Sequence, residues 1–437
     1  MPDFFLATTI FIVVYALIVI EKWHKTVVAL AGGAAVLMLK IITQEDAFRS
    51  EEYGVDWNVI VLLVSMMIII NIMRETGIFQ WTAIKSAKLG RGEPFTILAI
   101  LCFVTAILSA LLDNVTTVLL IAPVTILVAN QLEVDPIPFL IAEVLASNIG
   151  GTATLIGDPP NIMIASRAQL SFNDFLVNLG PVVVVIFFVY IATIRLIWGR
   201  SLTTRPELKA RILSMDESEA ITDSKLLTKS LVVMALTMSG FILHGVLGLE
   251  PATVALSGAA TLLLISNRAP HKVLSDVEWT TLFFFIGLFM VVGALVKVGA
   301  ISLMSQKVLD LTHGNFFATS MFVLWFSAIA SAIVDNIPYV ATMNPLIVDM
   351  AGELWPEKSG VDLLHHAKLM PVWWALALGA CLGGNGSAIG ASANVIMCGF
   401  SERAGYPITF RRFTMYGFPL MIQSVLIATV YIWWRYY

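Results

Sequence analysis

The sequence predicts an all-α polytopic membrane protein built as an inverted-topology repeat, with about ten transmembrane helices, two re-entrant hairpins and two broken helices. Three observations lead to this fold class: a very apolar composition, a series of apolar segments of membrane-spanning length, and short polar motifs that occur twice. Of the 437 residues, 58% are hydrophobic and 13% are charged, against roughly 25% charged in ordinary soluble domains.

Eight apolar segments are predicted to be full transmembrane helices, since a helix needs ~20 apolar residues to cross the hydrocarbon. Only Asp3 precedes the first, which lacks the basic region and the cleavage site of a signal peptide, so we predict a retained span. One segment, 252–265, is short and needs its flanks to cross. The eight segments are 4–20, 26–42, 57–73, 177–197, 230–247, 252–265, 280–296 and 410–434.

The polar motifs reveal an internal duplication. Asp56-Trp57 is repeated as Glu278-Trp279, and Asp113-Asn114 is repeated as Asp335-Asn336, with the same separation of 222 positions. A constant offset over several landmarks indicates a repeat rather than chance similarity. Further landmarks share an offset of 233, namely Gly150-Gly151 with Gly383-Gly384 and Asn161 with Asn394.

The charge distribution orients the repeats. Residues 21–25 and 74–91 carry Lys and Arg, whereas 44–56 is acidic. Basic loops stay cytoplasmic, so the N-terminus is predicted outside and the basic linker at 200–229 inside. If 95–130 forms a re-entrant hairpin, each half crosses five times, and an odd number forces the second copy to be inverted. The alternative, six crossings per half, would put the linker outside, against its arginines.

Each half also contains a glycine-rich stretch that is predicted to break a transmembrane helix. These stretches are SNIGGTATLIGDPPN at 147–161 and GGNGSAIGASAN at 383–394. Glycine allows close backbone approach, and paired prolines stop an α-helix. The predicted division is a first inverted repeat at 1–199 (hairpin 95–130, broken helix 138–168), a cytoplasmic linker at 200–229, and a second inverted repeat at 230–437 (hairpin 316–352, broken helix 371–400).

Polar breaks at membrane depth are tolerated where the freed backbone groups face protein or a water-filled cavity. Inverted-repeat transporters bind ions and substrate at such breaks, between the partially charged ends of half-helices. We therefore predict a pseudo-symmetric binding site, in preference to glycines that serve only close helix packing. The predicted substrate-binding residues are Asn114, Thr116, Asn148, Gly150, Gly151, Thr152, Asn161, Asn336, Asn385, Ser387 and Asn394.

Four acidic residues within apolar sequence are predicted to couple transport to protons or cations, because a charge inside the membrane is costly and is retained for function. Asp113 and Asp335 hold equivalent positions at the two hairpin tips, where each is equally suited to cap the following half-helix. Asp158 and Glu143 have no acidic counterpart in the second half. Glu143 is as consistent with a position near a boundary as with a proton relay.

Other functional classes find little support in the sequence. There is no Walker-type phosphate loop, and a net charge of −4 without a nucleic-acid motif argues against a nucleic-acid partner. Cys102, Cys381 and Cys398 show no ligand spacing, so we interpret them as small buried residues rather than as metalloid ligands. No enzymatic activity, metal site or cofactor is predicted.

The motifs SNIGGTATLIGDPPN, DNVTT, DNIPY and GGNGSAIGASAN resemble those of the arsenite permease/NhaD branch of the ion transporter superfamily, and are similar to those of the melanosomal P protein. The likeness extends from about residue 28 onward and implies an inverted repeat with two hairpins and alternating access. Dicarboxylate members of the superfamily carry Ser-Asn-Thr at each hairpin tip. Asp113 and Asp335 replace that serine here, which favours proton or cation coupling over carboxylate binding.

The resemblance implies efflux of arsenite or antimonite in exchange for protons, at the cell inner (plasma) membrane. A sodium/proton antiporter is the first alternative. An anion transporter of P-protein type, which would bind its substrate at the half-helix N-termini, is the second. The implied partners are the inorganic solute, protons and membrane lipid, with a homodimer and a separate ATPase subunit as open alternatives.

Overall fold

A computed structural model describes residues 2–20, 22–50 and 52–437. Within these ranges the chain forms α-helices, two 3₁₀ turns (Glu217–Ala220 and Gly384–Gly386) and loops, without a β-strand. The helices are α1 (Pro2–Ile20), α2 (Lys25–Met38), α3 (Gln44–Arg49), α4 (Trp57–Arg74), α5 (Ile78–Leu89), α6 (Pro94–Leu111), α7 (Asn114–Gln131), α8 (Ile137–Gly151), α9 (Pro159–Ala168), α10 (Phe172–Trp198), α11 (Pro206–Leu213), α12 (Ser224–Leu247), α13 (Pro251–Ser266), α14 (Pro270–Ser275), α15 (Trp279–Lys297), α16 (Ala300–Thr312), α17 (Phe316–Ile333), α18 (Asn336–Leu354), α19 (Gly360–Leu364), α20 (Met370–Gly383), α21 (Ser392–Arg403) and α22 (Phe410–Tyr436).

The helices of the two halves correspond one to one. Helices α1 to α10 match, in order, α12 to α18 followed by α20 to α22. The two remaining helices lie in segments without a counterpart: α11 in the linker, and α19 in the longer loop of the second half. The all-α fold class is confirmed. Of the helices in the described ranges, nine are long and apolar enough to cross a bilayer.

Two helix ends differ from the predicted apolar segments. Helix α2 ends at Met38 rather than near 42, because Lys40 adopts a left-handed conformation (φ 57°) and the N–H of Ile41 donates back to the carbonyl of Val36 (3.0 Å). Helix α12 begins before the apolar segment at 230–247, because the Asp223 carboxylate caps it by accepting from the N–H of Leu226 (2.9 Å).

The first hairpin, α6–α7, opens toward the linker. The ammonium of Lys209, in α11, lies 2.5 Å from the carboxylate of Glu93 at the start of α6. Beyond the end of α7, the hydroxyl of Thr204 donates to the carbonyl of Leu132 (2.6 Å). Both outer ends of the hairpin therefore lie on one face of the membrane, which we call the linker side.

The second hairpin, α17–α18, opens on the opposite side. After α18, the Trp355 ring stacks on Phe316 at the start of α17 (5.4 Å) and on His366 (3.8 Å). The neighbouring His365 contacts the carbonyl of Ala168 at the end of α9 (3.0 Å). Helix α10 begins close by, and its 27 residues extend ~40 Å before they reach the linker. The two hairpins thus open on opposite faces, and the halves are inverted.

Both broken helices stop at glycine and resume at a new helix start. Helix α8 ends at Gly151 and α9 begins with Pro159-Pro160, which suits a first turn but not a helix interior. Helix α20 ends at Gly383, and after one 3₁₀ turn α21 begins at Ser392. The unwound residues between them lie inside the protein, where other protein groups meet their free backbone.

Glycines at equivalent positions let the broken helices approach the hairpins. A Cβ on Gly150 would lie 2.2 Å from the carbonyl oxygen of Ala106 in α6, and one on Gly383 would lie 2.6 Å from that of Ala328 in α17. No side chain fits at these distances. Glycine therefore sets the depth at which each hairpin tip meets the unwound segment.

Apolar side chains cover the outside of the bundle, while polar residues gather inside it. Leu196 of α10, Val246 of α12 and Leu264 of α13 are each more than 80% exposed. In contrast, Asn148 and Asp158, at the first break, are at most 1% exposed. This distribution is the one expected of a protein surrounded by lipid.

Candidate functional site

Four helix starts, those of α7, α9, α18 and α21, converge between the two membrane faces. At the first hairpin tip, the amide nitrogen of Asn114 donates to the side-chain oxygen of Asn148 in α8 (3.1 Å). At the second tip, the amide nitrogen of Asn336 lies 3.3 Å from the carboxylate of Asp158, and its backbone N–H donates to the carbonyl of Gly390 (3.3 Å). Each tip therefore meets a break, as the repeat predicted.

Asn148 connects the two halves of the protein. Its Nδ2 donates to Oδ1 of Asn385 and to Oδ1 of Asn394, both at 2.9 Å, and its Oδ1 accepts from Asn114. We call Asn114, Asn148, Asn385 and Asn394 the asparagine cluster. All four are at most 2% exposed. Neutral amides that bond one another can be buried without the cost of a charge.

Asn161 and Asn394 hold the two unwound segments in shape. The Nδ2 of Asn161 donates to the carbonyl of Thr154 at 2.9 Å, and the Nδ2 of Asn394 donates to the carbonyls of Gly384 (2.7 Å) and Ser387 (2.8 Å). Their amide nitrogens are thus used by the backbone of their own half. This gives the pair, predicted as substrate ligands, a clear role in positioning the site.

The predicted hydroxyl ligands bond within their own half. Thr152 donates to the carbonyl of Asn148 (2.7 Å), Ser387 to that of Ala332 (2.6 Å), and Thr116 to the carboxylate of Asp113 (2.6 Å). These contacts fix the two segments and the first tip. The predicted residues Gly150 and Gly151 contribute close backbone packing, not side-chain ligands.

The first-half acids differ in their surroundings. Asp113 is the N-cap of α7 and accepts from the N–H of Thr116 (2.8 Å) as well as from its hydroxyl. Asp158 precedes α9, but its side chain makes no cap bond, and it faces Asn336 of the other half instead. The carboxylate of Asp158 is therefore directed at the second half of the protein, whereas that of Asp113 is bonded within its own helix.

Asp335, at the second hairpin tip, is paired with a lysine. It caps α18 through the N–H of Ile337 (3.1 Å), while its other oxygen accepts from Lys25 Nζ (2.6 Å) and Ser392 Oγ (2.8 Å). Sequence reasoning missed Lys25, because its position in the basic stretch 21–25 indicated only which side of the membrane that stretch occupies.

Glu143 lies apart from the asparagine cluster. It is completely buried in α8, and both carboxylate oxygens are 2.8 Å from the hydroxyl of Thr125 in α7. One hydroxyl carries one proton, so Thr125 can donate to only one of the two oxygens. Glu143 therefore lies inside the bundle, not at a boundary. Its carboxylate bonds to Thr125 and not to the residues of either hairpin tip.

Two features of the centre were not predicted from the sequence. The Oδ1 of Asn114 is buried and has no hydrogen-bond partner in the described part of the chain. The thiol of Cys381 donates to Oδ1 of Asn161 (3.3 Å), so one of the three scattered cysteines lies beside the first break. Nothing in the cysteine spacing could have indicated this, because Cys381 and Asn161 are 220 residues apart.

A cavity of about 600 Å³ leads to the second tip, with Lys25 and Asp335 in its wall. It opens on the linker side, at the start of α15. There Glu75, at the end of α4, binds both Thr222 of the linker (2.7 Å) and Lys272 of α14 (2.9 Å). A solute in the linker-side solution therefore has a route to the carboxylate of Asp335.

A second cavity, of about 760 Å³, opens on the opposite side. Asp56 and Glu250 line it together with His244, which contacts the N–H of Phe172 at the start of α10 (3.4 Å). Its inner wall includes the apolar Leu155 of the first break. The two cavities approach the centre from opposite faces.

Comparison with known proteins agrees with this architecture. At the level of fold, the chain is similar to the YdaH transporter of Alcanivorax borkumensis, whose crystal structure has an unusual topology (TM-score 0.50, 14% identity, 86% of this chain and 85% of that chain). It is 49% identical to the uncharacterized transporter Rv2684 of Mycobacterium tuberculosis over 431 residues, covering 99% of this chain and 98% of that protein.

Similarity to the human P protein is also confirmed, at 33% identity over 505 residues, which cover 98% of this chain and 59% of that protein. The arsenite permease/NhaD branch stays a prediction. A family model described as "Citrate transporter" matches residues 15–379. With its inverted repeat, its converging helix ends and these relatives, the chain is a membrane transporter and belongs to the citrate transporter family.

Proposed function

We propose that this chain is a secondary active transporter that exports arsenite or antimonite in exchange for protons, by alternating access to a site at the asparagine cluster. One observation carries the proposal: a buried set of neutral amides, contributed by both halves, lies among carboxylates at the helix starts. Family membership supports transport in general. The identity of the solute and that of the coupling ion are our proposal.

A neutral amide site suits a neutral solute that bears hydroxyl groups. At neutral pH arsenite and antimonite are uncharged trihydroxides, which both donate and accept hydrogen bonds. The unpartnered Oδ1 of Asn114 would accept from such a solute. Asn148 bonds to the side chains of the other three members of the cluster, and these bonds can be exchanged for bonds to the solute at small net cost.

The acids at the helix starts provide the coupling. Asp113, Asp158 and Asp335 precede α7, α9 and α18. A carboxylate away from water needs a proton or a cation to neutralise it. If these acids take up protons on the outer side and release them on the inner side, proton entry drives solute exit.

We infer that the linker side is cytoplasmic and that the membrane is the inner (plasma) membrane. Lysines and arginines gather on this side, in α5, in the linker and in α14, and basic loops remain in the cytoplasm. In this orientation the cavity that reaches Asp335 faces the cytoplasm, and it would admit the solute to be exported.

A second candidate is the transport of a carboxylate such as citrate. The description of the family favours it, as do Lys25 and the helix N-termini that point to the centre, since both attract anions. Three carboxylates, those of Asp113, Asp158 and Asp335, oppose a bare polyanion there. A citrate would therefore have to enter together with a bound cation.

Everted membrane vesicles with an imposed proton gradient distinguish these functions. We expect arsenite and antimonite to accumulate only in vesicles that contain the protein, and only while the gradient lasts. Accumulation of citrate in the presence of a divalent cation, without arsenite, would favour the second candidate. Sodium movement without either solute would indicate the sodium/proton antiporter. Arsenite uptake equal to that of vesicles lacking the protein would refute the proposal.

A further inference from the structure

We propose that Lys25 is a built-in counter-cation: its ammonium group binds the carboxylate of Asp335 and competes there with the monovalent cation, H⁺ or Na⁺, that drives transport. The inference rests on the cation coupling in the proposed function, but it does not depend on which solute is carried.

The geometry is that of an occupied cation site. The Nζ of Lys25 lies 2.6 Å from Oδ2 of Asp335 and 2.7 Å from Oγ of Ser392, and Ser392 in turn donates to the same carboxylate oxygen (2.8 Å). The ammonium is also 5.0 Å from the centre of the Phe284 ring. Carboxylate, hydroxyl and aromatic face together form a pocket for a single positive charge.

The ion pair joins two groups of helices, which also meet where the hydroxyl of Tyr15 in α1 contacts Thr342 of α18 (2.7 Å). Helix α2, which begins with Lys25, packs along α1 and α15. Asp335 belongs to the second hairpin, and Ser392 begins α21, which packs against α7 and α8. The pair therefore bridges the surface along which a hairpin and its broken helix would slide or tilt. Discharge of Asp335 by a competing cation would release this bridge.

The first hairpin has no such arrangement. Within the described ranges, Asp113 forms no ion pair, and its carboxylate is bonded to Thr116 of its own helix. Helix α13, the counterpart of α2, begins with Pro251 and follows Glu250 instead of a basic residue. The lysine counter-cation is thus present at the second hairpin tip and has no counterpart at the first, although the two halves share the same helix order.

Removal of Lys25 would leave a site with an excess of negative charge. Lys25 is the only lysine or arginine among the described residues that line the linker-side cavity, and His24 and Glu278 face the same space. Asp158 lies behind the tip, beyond Asn336. A cation from solution could then bind the carboxylate of Asp335 without competition from the ammonium group of Lys25.

The test measures cation binding through stability, because a ligand that binds the folded state raises the melting temperature. The purified full-length protein is melted in detergent while tryptophan fluorescence is followed, in one series with NaCl replacing choline chloride and in another at increasing acidity without Na⁺. In Lys25→Met we expect the apparent affinity for the coupling cation to rise by roughly tenfold, which corresponds to about 1.4 kcal/mol. The series that responds identifies the cation.

Matched variants separate this effect from a general loss of an ion pair. Lys297→Met removes the Lys297–Asp46 pair (2.5 Å) far from the centre, so its cation dependence should equal that of the wild type, as should that of Lys25→Arg. The increase in apparent cation affinity should vanish in the double variant Lys25→Met/Asp335→Asn. If Lys25→Met does not fold, Lys25→Gln replaces it.

The proposal would be overturned if the melting temperature of Lys25→Met depended on the cation as that of the wild type does in both series. It would also be overturned if the increase in affinity persisted in Lys25→Met/Asp335→Asn. A protein that carries no arsenite but shows the increase in affinity would refute the proposed solute and leave the counter-cation intact.

Discussion

Replacement of Asn148 by alanine tests whether the asparagine cluster joins the two halves. The change removes three buried hydrogen bonds at once: those from Asn148 to Asn385 and Asn394 and the one that it accepts from Asn114. The three partners stay buried and lose the group that satisfied them. We therefore expect a loss of both stability and transport.

The size of the effect follows from the bonds that are lost. Hydrogen bonds between membrane helices average ~0.6 kcal/mol, so three of them give about 2 kcal/mol. A buried polar group left unsatisfied costs about 1–3 kcal/mol, which raises the total. Because neighbouring terms are not additive, we expect the free energy of unfolding to fall by about 2–5 kcal/mol.

Reversible denaturant unfolding, followed by tryptophan fluorescence, measures this change. The control is Asn71→Ala in α4, because Asn71 is also a buried asparagine but its Nδ2 has no partner among the described residues. It should be destabilised less than Asn148→Ala, because no hydrogen bond of its amide nitrogen is lost. If Asn148→Ala were as stable as this control, the cluster would not hold the halves together, and the site would have to be placed elsewhere.

Three further predictions concern other parts of the molecule. Gly150→Ala should lower the melting temperature and abolish transport, because its Cβ would lie 2.2 Å from a backbone oxygen, whereas Gly245→Ala, with open space around it, should not; equal melting of the two would contradict the packing argument. Asp113→Asn should fold normally, as judged by its melting curve, but should lose the proton dependence of uptake into everted vesicles; unchanged dependence would remove Asp113 from coupling. Ion pairs with two lysines of α5 lower the pKa of Glu217 from 4.5 to about 2, so their contribution to stability is complete above pH ~4.5 and is lost as the pH falls through about 2. Pepsin should therefore cut the linker rapidly at pH 2 but slowly at pH 4, and Glu217→Gln should be cut rapidly at both; equal cutting of the two proteins at pH 4 would show that the lysine pairs do not hold the linker.

Much of the fold could be predicted from local properties of the sequence. The length of an apolar segment decides whether it can cross a bilayer, and the glycines around Gly151 together with the paired prolines Pro159-Pro160 favour a break followed by a new helix start. The constant spacing of Asp113-Asn114 and Asp335-Asn336 then identified equivalent tips. These signals act over a few residues or through simple repetition, so they can be recognised without coordinates.

The contents of the site were only partly predictable. Asn148 and Asn385 were identified as polar residues at breaks, but their mutual bond depends on how two distant segments pack. Lys25 bonds to Asp335, which is 310 residues away along the chain, and no periodic pattern in the sequence could predict such a contact. Conversely, Asn161 had the right chemistry for a ligand, yet its amide nitrogen serves the backbone of its own half.

The sequence by itself determined that this chain is a duplicated membrane protein with two polar interruptions in each half, because hydrophobic length, helix-breaking residues and repetition are written along the chain. Only the tertiary structure decided which polar groups meet, which acid is paired with Lys25 and from which face that acid is reached. Those properties arise from side chains brought together across the inverted halves, and the distances between such side chains are set by packing, not by sequence separation.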